Sequence, residues 1–252
     1  MAKKIYLDAG HGGKDSGALG GGFKEKDFTL EMAKACRDYL NDNYTGISVK
    51  LSRTTDRFRE LNDVCNEINA WGADIAVSFH INAGGGDGCE AWISKGSVKG
   101  KKLADCILDE IVKLNQKNRG IKHKLNSSGT DWFAFNRIPR CPSIIIEPFF
   151  IDSVDRKIGD TKSERTKIAQ AIAKGIAKHL GLKKKTAPVK TLKVGSKVRI
   201  KAGATDLNTK KKFSSFVYEN TYTVISITAS RVVFGLNGKV TGVAHKDNIT
   251  LV

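Results

Sequence analysis

Along residues 1–182, short apolar runs rich in β-branched side chains alternate with stretches of helical period. "KKIYLDAG", "GISVKLSRT", "ADIAVSFHINA", "GCEAWISKG" and "CPSIIIEPFF" read as strands, because each is short, apolar and bounded by Gly, Asn, Asp or Pro. Between them, "FTLEMAKACRDYLND" repeats apolar positions at Leu30, Ala33, Cys36 and Leu40, and "RELNDVCNEINAWG" does so at Leu61, Val64, Cys65 and Ile68. "GKKLADCILDEIVKLN" and "SERTKIAQAIAKGIAKHLG" continue the pattern, the latter closing on Gly181 as a C-cap. Strand and helix in alternation predict an α/β fold, a mostly parallel sheet flanked by helices.

At residues 183–191 the pattern stops, since three lysines and a proline follow the capped helix and cannot extend it. This stretch is the expected linker. Beyond it, over residues 192–252, "SKVRIKAGA", "NTYTVISITA", "SRVVFGLNGKV" and "GVAHKDNITLV" are short β-rich runs separated by Gly and Asn turns. They predict a small β-barrel with no helix.

Charge sharpens this division. The chain carries a formal +17, of which residues 183–252 supply +11, from 14 Lys and Arg against 3 Asp and Glu. Such a field favours an anionic partner, whether nucleic acid, a membrane surface or an acidic wall polymer. No apolar run is long enough to span a bilayer, and the start "MAKKIYLDAGHGG" lacks the apolar core and cleavage site of a secretion signal. The expectation is a protein made in the cytoplasm without insertion into a membrane. The five cysteines, 36, 65, 89, 106 and 141, show no CxxC spacing, which favours free thiols over disulfides or a cysteine metal site.

Candidate chemistry begins with "YLDAGHGGKDSGALGG", where His11 follows a strand inside a crowd of glycines. A phosphate cradle fits poorly: the stretch matches neither GxxxxGK[ST] nor a GxGxxG leading straight into a helix, which is expected only near Asp27. A metal centre needs further ligands. Glu25 lies at a loop-to-helix junction, and His80 ends a second apolar strand, where open α/β sheets bind their ligands. Glu147 ends a third in "SIIIEPFF", and burying it without purpose is costly. Its competing structural role is a salt bridge to Arg140 or Lys157. His123 in a basic loop, His179 at a helix C-terminus and His245 in the tail are weaker ligand candidates.

"DAGHGGKDSGA", "FKEKDFTLEMA", "VSFHINA" and "CPSIIIEPFFIDS" together resemble, in content and order, the four signature segments of zinc-dependent N-acetylmuramoyl-L-alanine amidases, the peptidoglycan hydrolases of autolysins and phage endolysins. The resemblance implies a Zn2+ ion held by His11, Glu25 and His80, with Glu147 as catalytic acid/base. It implies cleavage between N-acetylmuramic acid and the L-alanine of the stem peptide, by an enzyme reaching the wall after release. Asp8, Gly12, Gly13 and Asn82 are candidates for supporting the ligands or touching substrate. Two departures stand out: Pro148 where the family usually has Gly, and Val64 where it commonly has Arg. The tail resembles, less specifically, SH3-like wall-binding modules, with peptidoglycan and anionic wall polymers as expected partners and nucleic acid not expected. A zinc peptidase cutting within the stem peptide and a non-enzymatic basic wall-binding protein are the alternatives.

Overall fold

In a computed structural model, which describes residues 2–185 and 191–252, the strand β1 (Lys3–Ala9) sends Ile5, Leu7 and Ala9 to one face of a sheet and Tyr6 and Asp8 to the other. After it come the two-residue strands β2 (Leu19–Gly20) and β3 (Phe23–Lys24), helix α1 (Glu25–Asn43), β4 (Ile47–Leu51), α2 (Leu61–Trp71) and β5 (Ile75–Phe79). The unit continues through β6 (Cys89–Ile93), α3 (Val98–Ile111), β7 (Asn118–Lys122), α4 (Ala134–Arg137), β8 (Ser143–Glu147) and α5 (Lys162–Leu180). Six strands form one sheet in the order β4-β1-β5-β8-β6-β7. The first four run parallel, whereas β6 is antiparallel to β8 and parallel to β7.

The helices cover both faces unequally. On one, α1, α3 and α5 bury Phe28, Met32, Cys36, Leu103, Ile107, Ile168, Ile172 and their neighbours against Ile5, Leu7, Val77, Phe79, Ile144 and Ile146. On the other, α2 and α4 pack, placing Val64, Cys65, Ile68 and Phe135 against Tyr6, Ala76 and Ile145. That second face is sealed at the start of its strands and open at the end, where the alternation delivers Asp8, Ser78 and Glu147. Polar groups at the carboxyl end of a half-covered parallel sheet are where such folds place ligands.

Several details differ from the sequence reading. The helix α1 starts at Glu25, two residues earlier than expected, and its buried face includes Phe28 and Met32 while Leu30 stays half-buried. The strand β7 was not expected, because "NRGIK" has no apolar alternation and Gly120 adopts φ 85°. All five cysteines are free thiols.

The chain divides into two units, Met1–Lys185 and Thr186–Val252. Of the expected linker at 183–191, residues 186–190 lie outside the described residues; Lys183 and Lys185 are hydrogen-bonded to Thr45 and Asn43. The second unit contains β9 (Lys197–Ile200), α6 (Ser215–Glu219), β10 (Tyr222–Ile227), β11 (Arg231–Leu236), β12 (Lys239–His245) and β13 (Ile249–Leu251). Its strands form one antiparallel sheet, β12-β11-β10-β9-β13, around a core that includes Val198, Tyr222, Val224, Val232 and Phe234. The short α6 departs from the all-β expectation.

Candidate metal centre and proton-transfer site

At the end of β1 the chain turns sharply, and His11 takes a left-handed conformation with φ 63°. Such a backbone costs a non-glycine residue about 1 kcal/mol or more and persists only where the surroundings enforce it. They do so here through a tight pair of hydrogen bonds between the backbones of Gly12 and Asp15, at 2.9 and 3.1 Å. Asp15 also holds the His11 ring, its carboxylate lying 2.8 Å from Nδ1. A partner on Nδ1 fixes the ring and leaves Nε2 turned toward other groups.

Glu25 is that other group. As the first residue of α1 it is only 3% exposed, and its Oε1 lies 3.2 Å from His11 Nε2 and 3.1 Å from His80 Nδ1. The backbone N–H of Ile81 donates to the same oxygen at 2.8 Å, and Ala18 N–H donates to Oε2 at 2.8 Å. The ligand atoms of His11, Glu25 and His80 thus lie within 4.8 Å of one another. Burial pushes the Glu25 carboxyl up, but the two histidines outweigh it and hold it well below the usual range. Burial likewise lowers His11, yet the carboxylates of Glu25 and Asp15 raise it to about 9. Two imidazoles and a carboxylate turned toward one point are a donor set suited to zinc.

One residue ties these elements together. Arg53, 1% exposed, donates to the carbonyls of Ala9 and Gly10 at the end of β1, and to Lys26 O and Thr29 Oγ1 in the first turn of α1. It clamps the segment bearing His11 to the segment bearing Glu25. Nothing in "LSRTTDRFRE" distinguishes this buried arginine from its exposed neighbours, so sequence reasoning missed it.

Glu147 lies across the cavity. Its Oε2 accepts from Asn82 Nδ2 at 2.7 Å and from Trp92 Nε1 at 3.1 Å. Neither Arg140 nor Lys157 pairs with it among the described residues. Burial chiefly, and the carboxylate of Glu90 on the neighbouring strand, push Glu147 up to about 7. A carboxyl poised near neutrality both takes and gives a proton.

A cavity of about 350 Å3 joins the two groups, with Asp8, His11, Asp15, Ser78, His80 and Glu147 on its polar side and Phe58, Val64, Phe133, Phe135 and Ile145 among its apolar walls. Asp8, 6% exposed, accepts from Ser78 Oγ at 2.6 Å. Gly12 and Gly13 do not line the cavity: a Cβ on Gly12 would meet Arg57 O at 2.3 Å, so their open geometry admits the 57–58 backbone. Val64, where an arginine is common in the resembled family, makes a stretch of the wall apolar. Pro148 carries its carbonyl to Gln116 Nε2 at 2.8 Å. His123, His179 and His245 are not among the residues of the cluster.

Comparison with known proteins adds a further finding. The sequence profile of a family described as N-acetylmuramoyl-L-alanine amidase matches residues 5–178. The chain is 35% identical over 217 residues to the sporulation-specific N-acetylmuramoyl-L-alanine amidase of Bacillus subtilis, spanning 84% of this chain and 82% of that protein. It is 40% identical over 195 residues to the endolysin of Bacillus phage SPP1, spanning 74% and 69%. The N-acetylmuramoyl-L-alanine amidase AmiC2 of Nostoc punctiforme superposes with a TM-score of 0.64 at 30% identity, over 71% of this chain and 97% of that one.

Proposed function

The chain belongs to the N-acetylmuramoyl-L-alanine amidase family, cutting peptidoglycan between N-acetylmuramic acid and L-alanine, and on that premise we propose a division of labour among its residues. His11, Glu25 and His80 hold zinc, and Glu147 is the acid/base. When bound, zinc supplies the Lewis acidity that polarises a carbonyl and acidifies water. Glu147 takes the proton of the attacking water and delivers it to the amine of the departing L-alanine. Asn82 and Trp92 aim the Glu147 carboxyl, and Asp15 orients His11. Asp8 and Ser78 form a polar floor beside them.

The observation that carries this reading is the meeting of His11 Nε2 and His80 Nδ1 on one oxygen of a buried Glu25, beside a cavity that both histidines line together with Glu147. Family membership sets aside both alternatives, the stem-peptide peptidase and the non-enzymatic wall-binding protein. Digestion of purified walls tests the whole: amidase action releases peptides with a free N-terminal alanine from intact glycan, and chelation stops the release. Glycan fragments carrying stem peptides cut internally would refute it.

The second unit, basic and built on a five-stranded antiparallel sheet, acts in this proposal as an SH3-like wall-binding module for anionic polymers. Binding of the full chain to walls with and without their anionic polymers tests that role. Both an endolysin and a sporulation amidase stand among the relatives, and in either setting the enzyme meets the wall after release from the cytoplasm. Among the described residues no helix is long and apolar enough to cross a membrane.

A further inference from the structure

The reversed strand β6 places a second carboxylate against the proposed acid/base. In the antiparallel ladder Glu90 stands opposite Glu147, where side chains project to the same face about 5 Å apart and like charges repel. Glu90 is only 2% exposed, and its Oε2 receives both Arg119 Nε and Lys122 Nζ, each at 2.6 Å, from β7. The register thus sets the two carboxyl groups side by side on one face of the sheet. Two carboxylates placed side by side in a site largely shielded from water resist ionising together, so the proton favours one of them.

Which of the two keeps the charge follows from their surroundings. Two cations reach Glu90, whereas among the described residues the donors to Glu147 are the neutral Asn82 and Trp92. The other charged or titratable groups around Glu147 are His80 beyond β5 and, on the far side of the cavity, Asp8, His11 and Asp15; Phe133, Phe135 and Ile145 close its apolar side. Trp92, two residues along β6 from Glu90, packs edge-on against Phe133, 5.2 Å between centroids, and lies 5.7 Å from Lys122 Nζ. One element therefore supplies both the charged partner and one of the neutral donors of Glu147.

We propose that Glu90, with Arg119 and Lys122 behind it, is the positioning residue for Glu147: it holds the acid/base carboxyl in place and assigns it the shared proton. It acts through Glu147 and needs no contact with substrate. A merely structural network tying β7 to β6 would have the same contacts but would not set the proton affinity of Glu147. The proposal rests on the reading of Glu147 as acid/base.

The test measures kcat/KM against pH for the full chain on purified peptidoglycan, with zinc content determined at each pH so that metal loss is not mistaken for titration. Glu90→Gln should move the midpoint of the acid limb down by about one pH unit, since it removes a facing negative charge and frees two cations. Should Glu90→Gln fail to fold, Lys122→Met, which leaves Arg119 on Glu90, should still shift the limb upward. Midpoints that stay at the wild-type value while rates fall equally at all pH would overturn the proposal. Glu147→Gln, run alongside, separates the two readings. If it stays active, the acid/base assignment fails; if it is inactive and the limb is unmoved, only the role of Glu90 fails.

Discussion

Two glutamates flank one cavity, Glu25 behind the His11 and His80 that line it and Glu147 in its wall, and their carboxyls shift in opposite directions. Glu25 sits against His11 and His80 and is held ionised, below its ordinary range; Glu147 sits against Glu90 and apolar walls and is pushed up to about 7. Desolvation raises both. What separates them is the sign of the charges that the neighbouring elements bring: imidazoles after β1 and β5 on one side, a carboxylate from the antiparallel β6 on the other. In the proposed division of labour, one residue type thus serves as a cation ligand in one half of the site and a proton carrier in the other.

The sharpest way to break that comparison is to neutralise each side. Glu147→Gln should lower hydrolysis by about 10²- to 10⁴-fold, the usual worth of a general acid/base, while zinc content stays near one per chain by atomic absorption. Glu25→Gln should lose activity and zinc together. Equal zinc in the two variants would mean that the halves do not differ in the way described.

Arg53 offers the next largest effect, because it belongs to the Glu25 half alone. Replacing it with Met removes hydrogen bonds to Ala9 O, Gly10 O and Lys26 O and leaves those buried carbonyls short of donors. The expected loss is about 2–4 kcal/mol in urea unfolding, with weaker zinc retention. Unchanged zinc affinity at reduced stability would confine Arg53 to folding.

Stability against pH distinguishes the halves in metal-free protein. His11 is raised from 6.5 to about 9, so its contribution is complete below pH 6.5 and is lost as pH climbs through 9. Glu147 is raised from 4.5 to about 7, so its protonated form favours the fold below 4.5 and that advantage is lost through pH 7. Glu25 is depressed, so its contribution holds above 4.5 and disappears only in acid. Urea unfolding in chelator should therefore show stability falling between pH 5 and 9, by up to about 3 kcal/mol from each of His11 and Glu147. Glu147→Gln should flatten the part below pH 7 and leave the part above it.

How much of this was legible in the chain follows the same divide. His11, Glu25, His80 and Glu147 each close or open an element, and an ionisable group ending an apolar run such as "SIIIE" is visible without a structure. Glu90 is not, because its meaning depends on β6 running against β8, and strand direction leaves no mark in composition. Arg119 and Lys122 sit on an edge strand that reads as a polar loop, and Asp15 looks like one more loop residue until the chain folds back on His11. Contacts between elements distant in sequence are what the pattern of single residues omits.

The smallest effect comes from a change that should touch neither half. Helix α5 opens on a capping box in which Thr161 Oγ1 accepts from Glu164 N–H at 3.2 Å and Glu164 returns a bond to Thr161 N–H at 2.8 Å. Thr161→Ala should cost about 1 kcal/mol of unfolding free energy. It should leave zinc content, kcat/KM and the midpoint of the acid limb where they were, because α5 packs on the sheet face opposite the cavity and brings no charged group to it. If the limb moved with this loss of stability, shifts seen in the Glu90 and Arg53 variants would be readable as general loosening of the fold. A fixed limb makes those shifts specific to the charges around Glu25 and Glu147.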